Sequence, residues 1–152
     1  MNLSILSNNE QLEKINISLE DVIKRRDKAY RVFNFAIKNL SGSGSGDEDI
    51  IYTNLYDAIR MGCEVVLWLF GYRVKKSSEG YHFVTINAVG DLLNGEMIYE
   101  FYRIQRMRKK RNMFDYGNLE NISEEELKQA VSDAKSLFRK IDALIDTYNF
   151  LS

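Results

Sequence analysis

Proline is absent from the 152 residues, cysteine and histidine occur once each, and no apolar run is long. Without proline, no helix has to break or kink at one. The single Cys63 cannot form an intrachain disulfide, and it sits among apolar residues of an expected helix, which suits a reducing cytoplasm. One histidine and one cysteine are too few for a structural zinc site, and no metal or other cofactor is expected. The longest apolar run, Val65 to Phe70, is far too short to cross a bilayer, so no membrane partner is expected. The opening residues, MNLSILSNNE, have no basic region leading into an apolar stretch and are not expected to act as a secretory signal. A net charge of −1 provides no overall field that would draw the chain to nucleic acid.

The charge that is present is unevenly placed. Arg103 to Arg111 holds six cationic residues and no acid, while Glu120 to Glu126 holds four acids and no base. The basic run belongs to the stretch from Met97 to Tyr116, MIYEFYRIQRMRKKRNMFDY, whose first half reads as an amphipathic helix. Met97, Phe101 and Ile104 form one stripe, and the same three- and four-residue steps carry it on to Arg108 and Arg111. A face that begins as core and ends in guanidinium groups cannot simply be buried, because unpaired buried charge is too costly. Those groups must face a partner, a ligand or a water-filled groove.

The remainder of the chain predicts an all-α antiparallel bundle of about five helices in a single domain, residues 1–152. Apolar residues at three-four spacing predict a long first helix from Ser7 to Leu40, with Ser7 and Glu10 as a capping box. Asn16 to Ser18 is a weak point, and Ser18 with Asp21 offers a second start. Residues 41–46, SGSGSG, form a flexible connector whose strict alternation also has the form of an engineered loop replacement. Asp47, Glu48 and Asp49 place negative charge at the start of a second helix ending near Gly71. From Met61 onward that helix is apolar on nearly every side except Glu64, which marks it as the central one. A polar loop is expected over Tyr72–Gly80, then a short helix over Tyr81–Leu93 with Phe83, Ile86, Val89, Leu92 and Leu93 inward. Asn94-Gly95 breaks it, the basic helix runs to about Asn112, and Ser123 with Glu126 caps a last heptad-patterned helix.

Three segments, NLYDAIRMGCEVVLWLFGYRV, EGYHFVTINAVGDLL and RMRKKRNMFDYG, together resemble the HEPN (higher eukaryotes and prokaryotes nucleotide-binding) superfamily. The likeness lies in the order of a Tyr-Asp-Ala-x-Arg helix, a GYR turn, a Gly-Tyr-His helix start and an Arg-Asn-x-x-x-Tyr ending. It implies a helical bundle that forms a homodimer, with the Arg-Asn motifs of two protomers meeting in a shared cleft that binds RNA or a nucleotide. Many members are metal-independent endoribonucleases, often toxins paired with a small nucleotidyltransferase antitoxin. Their signature of Arg, four to six residues, then His maps onto Arg111, with Asn112 as the adjacent polar residue, and puts Tyr116 in the His position. That is a departure with consequences. In cleavage through the ribose 2′-hydroxyl, Arg stabilises phosphate charge while His moves the proton. A phenol with an ordinary pKa of about 10 is a poor proton acceptor at neutral pH, so Tyr116 can hydrogen-bond a phosphate but hardly serve as base.

The candidate catalytic set is therefore Arg111, Asn112 and Tyr116, read either as a phosphate clamp at a dimer cleft or as a helix cap with an interface salt bridge. Arg106, Arg108, Lys109 and Lys110 are the candidate phosphate-binding residues; a solvated face is the plainer reading of the patch, and an intersubunit ion pair that of Arg108. His82, the only imidazole, and Arg60 are secondary candidates. A capping or packing role suits His82, and pairing with Asp57 suits Arg60. Two functions remain open: a toxin-like RNA- or nucleotide-binding protein, and a non-catalytic homodimeric interaction module whose Arg-Asn-Tyr cluster is structural.

Overall fold

The helix that is apolar on nearly every side becomes the axis of the fold. The computed structural model describes residues 1–40, 46–93, 95–115 and 121–151, so residues 41–45 of the Ser/Gly connector lie outside it. In chain order the elements are α1 (Ser4–Asn8), β1 (Leu12–Lys14), α2 (Leu19–Leu40), α3 (Glu48–Leu69), β2 (Tyr72–Val74), α4 (Tyr81–Leu92), α5 (Ile98–Asp115) and α6 (Glu124–Leu151). This is an all-α helical bundle with one small two-stranded sheet attached.

Helix α3 packs against α2, α4, α5, α6 and β2. Its first turn carries Glu48 and Asp49, whose charge favours the helix N-terminus. Gly62 lets α6 come close: a Cβ there would stand 3.1–3.3 Å from Ile141, Leu137 and Phe138. The basic helix α5 buries Met97 (just before its start), Phe101, Ile104 and Met107. On α6, the Ser123 hydroxyl oxygen accepts the Glu126 N–H at 3.1 Å, as the capping pattern predicts.

Before Leu19 the chain departs from the long helix predicted from Ser7. Leu12, Glu13 and Lys14 pair antiparallel with Val74, Arg73 and Tyr72, so the segment expected as helix and the one expected as polar loop form a sheet. The reason is local. The Asn9 side chain accepts the Gln11 N–H at 2.9 Å, offering the backbone a turn in place of helix. Leu12 and Val74 then bury each other across the strands, and Arg73 donates to Glu13 at 2.7 Å. Ser7 donates to the Ser4 carbonyl and caps nothing, whereas Ser18 accepts the Asp21 N–H at 3.1 Å and starts α2. Phe83, predicted inward, is exposed; Ile86, Val89, Leu92 and Leu93 are buried. No helix among the described residues is long and apolar enough to cross a membrane.

Candidate functional site

Because successive residues of a helix turn by about 100°, the basic run of α5 is divided between two sides of the helix. Arg108 and Arg111 continue the buried stripe of Phe101 and Ile104 and are themselves half-buried, with Asn112 half-buried beside them. Arg106, Lys109 and Lys110 turn to α6, where with Arg103, Tyr52 and Glu126 they help to line a cavity of about 300 Å³. There Arg103 binds Asp133 through two hydrogen bonds of 2.8 Å, and Lys110 binds Glu126 at 2.6 Å.

The side of α5 facing α3 and α4 carries the denser cluster. Arg60 of α3 is largely buried and donates to Glu64 at 2.6 Å, one turn further on and in preference to the Asp57 pairing suggested by the sequence. The Nε of Arg60 and the hydroxyl of Tyr56 are both buried with no hydrogen-bond partner among the described residues. His82, in the first turn of α4, stands with its ring centroid 6.1 Å from that of Tyr56. Arg108 lays its guanidinium over the Phe83 ring at 5.3 Å and donates through Nε to Gln105 at 2.9 Å.

The electrostatics tie these groups together. Burial, and then the positive fields of Arg60, Arg111 and Arg108, pull His82 from its ordinary 6.5 down to about 4. Burial pushes the Tyr56 hydroxyl up, while the same three guanidinium groups oppose that rise. The fold thus gathers Arg60, His82, Arg108 and Arg111, drawn from three helices, around one spot. Tyr116 lies outside the described residues.

No family model, curated protein or solved structure matches the chain. What the site can do follows from its chemistry. Three guanidinium groups around a neutral imidazole and a buried phenol suit an oxyanion, since arginine forks match phosphate and carboxylate oxygens. Among the described residues no group of three His, Cys, Asp or Glu side chains is placed to hold a metal ion.

Two contributors escaped the sequence reading. Glu64 was visible as the single polar interruption of an apolar helix, and a carboxylate in that position requires a cationic partner. It has two, Arg25 and Arg60. Tyr56 had no comparable signal, because an aromatic on an apolar face reads as core until its unpartnered hydroxyl is seen.

Proposed function

We propose that this chain is a HEPN-type helical module that binds the phosphate of RNA or of a nucleotide through Arg60, Arg108 and Arg111. The observation that carries the reading is the convergence of those three guanidinium groups on His82 and Tyr56. The His82 pKa supports it: burial is the first cause of its depression, and the positive fields of Arg60, Arg111 and Arg108 add to it, fields that an anion would offset. A bound phosphate offsets those fields and raises the basicity of the imidazole, while the effect of burial remains. His82 then supplies, from a different helix, the proton acceptor that Tyr116 does not, and metal-independent cleavage through the ribose 2′-hydroxyl becomes chemically feasible. The toxin-like setting, the homodimer and a nucleotidyltransferase-type antitoxin are proposed with it on the sequence resemblance.

A second reading draws on a different surface. Helix α5 exposes Ile98, Tyr99 and Tyr102, an apolar face that suits an interaction module with a structural Arg-Asn-Tyr cluster.

The test is binding of a labelled single-stranded RNA, followed by cleavage in the presence of EDTA. Wild type is compared with Arg111→Ala and His82→Gln. Loss of a charge-assisted phosphate contact weakens Arg111→Ala by about tenfold, and His82→Gln abolishes any cleavage while retaining binding. Wild type that binds neither RNA nor nucleotide at low salt, with Arg111→Ala changing from dimer to monomer, favours the interaction module instead.

A further inference from the structure

Next to the cationic cluster, the first half of α5 and the outer face of α4 enclose a cavity of about 610 Å³, with Asn87, Asp91, Tyr102 and Gln105 among its walls. Gln105 joins the two places. Its side-chain oxygen accepts the Arg108 Nε–H at 2.9 Å, and its amide nitrogen lies 3.4 Å from the Phe83 carbonyl. The cavity therefore opens directly beside a guanidinium already assigned to phosphate. Phe101 packs 3.3 Å from where a Cβ on Gly90 would stand, and both residues form part of the cavity wall.

The two ends of this groove differ in charge and in hydrogen-bonding character. Just beyond the cavity wall, toward the C-terminus of α5, stands Arg108, held by Gln105 of that wall. At the other end Asp91 is exposed, and among the described residues its carboxylate makes no ion pair and accepts only a long hydrogen bond of 3.4 Å from Asn87. Its second carboxylate oxygen and the Asn87 carbonyl oxygen remain available as acceptors. Tyr102 is 67 % exposed although it is a large aromatic, and it stands roughly 9 Å along the helix axis from Arg108. A cationic end, an acceptor-rich end and an exposed aromatic between them complement a molecule with a phosphate at one end and a flat, donor-bearing ring at the other.

We propose that the α4–α5 cavity is a nucleobase subsite selective for guanine, with Asp91 accepting the base's two adjacent N–H groups and Tyr102 stacking on its face. The inference rests on the phosphate reading of Arg108 and Arg111. A carboxylate takes two parallel N–H donors as it takes an arginine fork. Guanine presents such a pair on its Watson–Crick edge. Adenine presents a ring nitrogen lone pair beside its amino group, and that lone pair meets the carboxylate with repulsion.

The experiment is calorimetric titration of the full chain with GMP, AMP and ribose 5-phosphate, on wild type, Asp91→Asn and Arg111→Ala. GMP is expected to bind roughly tenfold tighter than AMP or ribose 5-phosphate, the discrimination of one good bidentate contact. Asp91→Asn, at an exposed position that leaves the fold intact by circular dichroism, collapses that preference. If all three ligands bind alike and all are weakened by Arg111→Ala, the guanine subsite is overturned while the phosphate site stands. A GMP preference that survives Asp91→Asn overturns it as well. If none binds, the subsite and the phosphate reading fall together.

Discussion

Arg60 and Glu64 stand one turn apart on α3 and are joined by a hydrogen bond of 2.6 Å, yet the pair does not cancel the positive charge of the site. Glu64 is only 4 % exposed and is gripped from its other side by Arg25, whose Nε donates at 3.1 Å. Two guanidinium groups share one carboxylate, so a net positive charge remains, and Arg60 is the member nearer His82. Removing the carboxylate leaves both cations in a poorly hydrated place. Glu64→Ala is expected to destabilise the protein by about 3 kcal/mol, the low end for a broken buried pair because both arginines keep some access to water. Denaturant unfolding measures it. A loss under about 1 kcal/mol, typical of a surface substitution, would show that Glu64 does not hold the cluster together.

His82 is the only histidine, so any imidazole titration belongs to it alone. Its folded pKa of about 4 lies below the ordinary 6.5, so between those values the unfolded chain binds a proton that the folded one does not. The stability contributed by keeping the imidazole neutral is therefore fully present above pH 6.5 and is lost as pH falls toward 4. Carboxylates titrate in the lower part of this window too, so the informative quantity is the difference between wild type and His82→Gln. The stability of wild type relative to His82→Gln is expected to rise as pH rises from about 4 to 6.5 and to be flat above neutrality. The single histidine resonance in NMR reads the same group directly. Inorganic phosphate should move its titration midpoint upward, and an unmoved midpoint at saturating phosphate counts against an anion site beside it.

The bundle was legible in the sequence because its signals are periodic. The stripe Met97, Phe101, Ile104 is buried as its spacing requires, and Ser123 with Glu126 starts α6 where the capping pattern placed it. The stripe's passage into Arg108 and Arg111 also indicated that these two side chains lie half-buried on the same side of α5. Three things were not readable. The pairing of Leu12–Lys14 with Tyr72–Val74 joins segments nearly sixty residues apart, and nothing local announces it beyond the turn chemistry of Asn9. Phe83 fits the inward spacing of α4 but instead lies under the Arg108 guanidinium, a tertiary contact that overrides periodicity. The approach of His82 to Arg60 and Arg111 depends on how three helices cross, and a linear spacing of some thirty residues does not encode it.

Gly62 sits where α3 packs closely against α6. A methyl group there meets Ile141 at 3.1 Å, Leu137 at 3.2 Å and Phe138 at 3.3 Å at once, so no single side-chain shift relieves the crowding. Alanine gains up to about 1 kcal/mol of helix propensity over glycine, while overpacking costs roughly 1–3 kcal/mol. The expected sum is a net loss of about 1 kcal/mol, seen as a lower denaturation midpoint with an unchanged denaturant slope. A stabilised Gly62→Ala would mean that α6 can move away from α3 without penalty.

The two sides of α5 make a last, directional prediction. Arg108 faces α4 and the His82 cluster, whereas Lys109 and Arg106 line the cavity against α6, where Lys110 and Arg103 are already engaged by Glu126 and Asp133. If RNA follows the α4 side, neutralising one phosphate contact there reduces the salt dependence of binding by about 0.7 in log–log slope. Arg108→Ala should show that reduction. Lys109→Ala should show less than half of it, because its charge acts only through a screened distance. Filter binding across a salt series distinguishes the cases. Equal reductions in Arg108→Ala, Lys109→Ala and Arg106→Ala would mean that the ligand straddles the helix, and the α5–α6 cavity would then belong to the binding path as much as the cluster around His82.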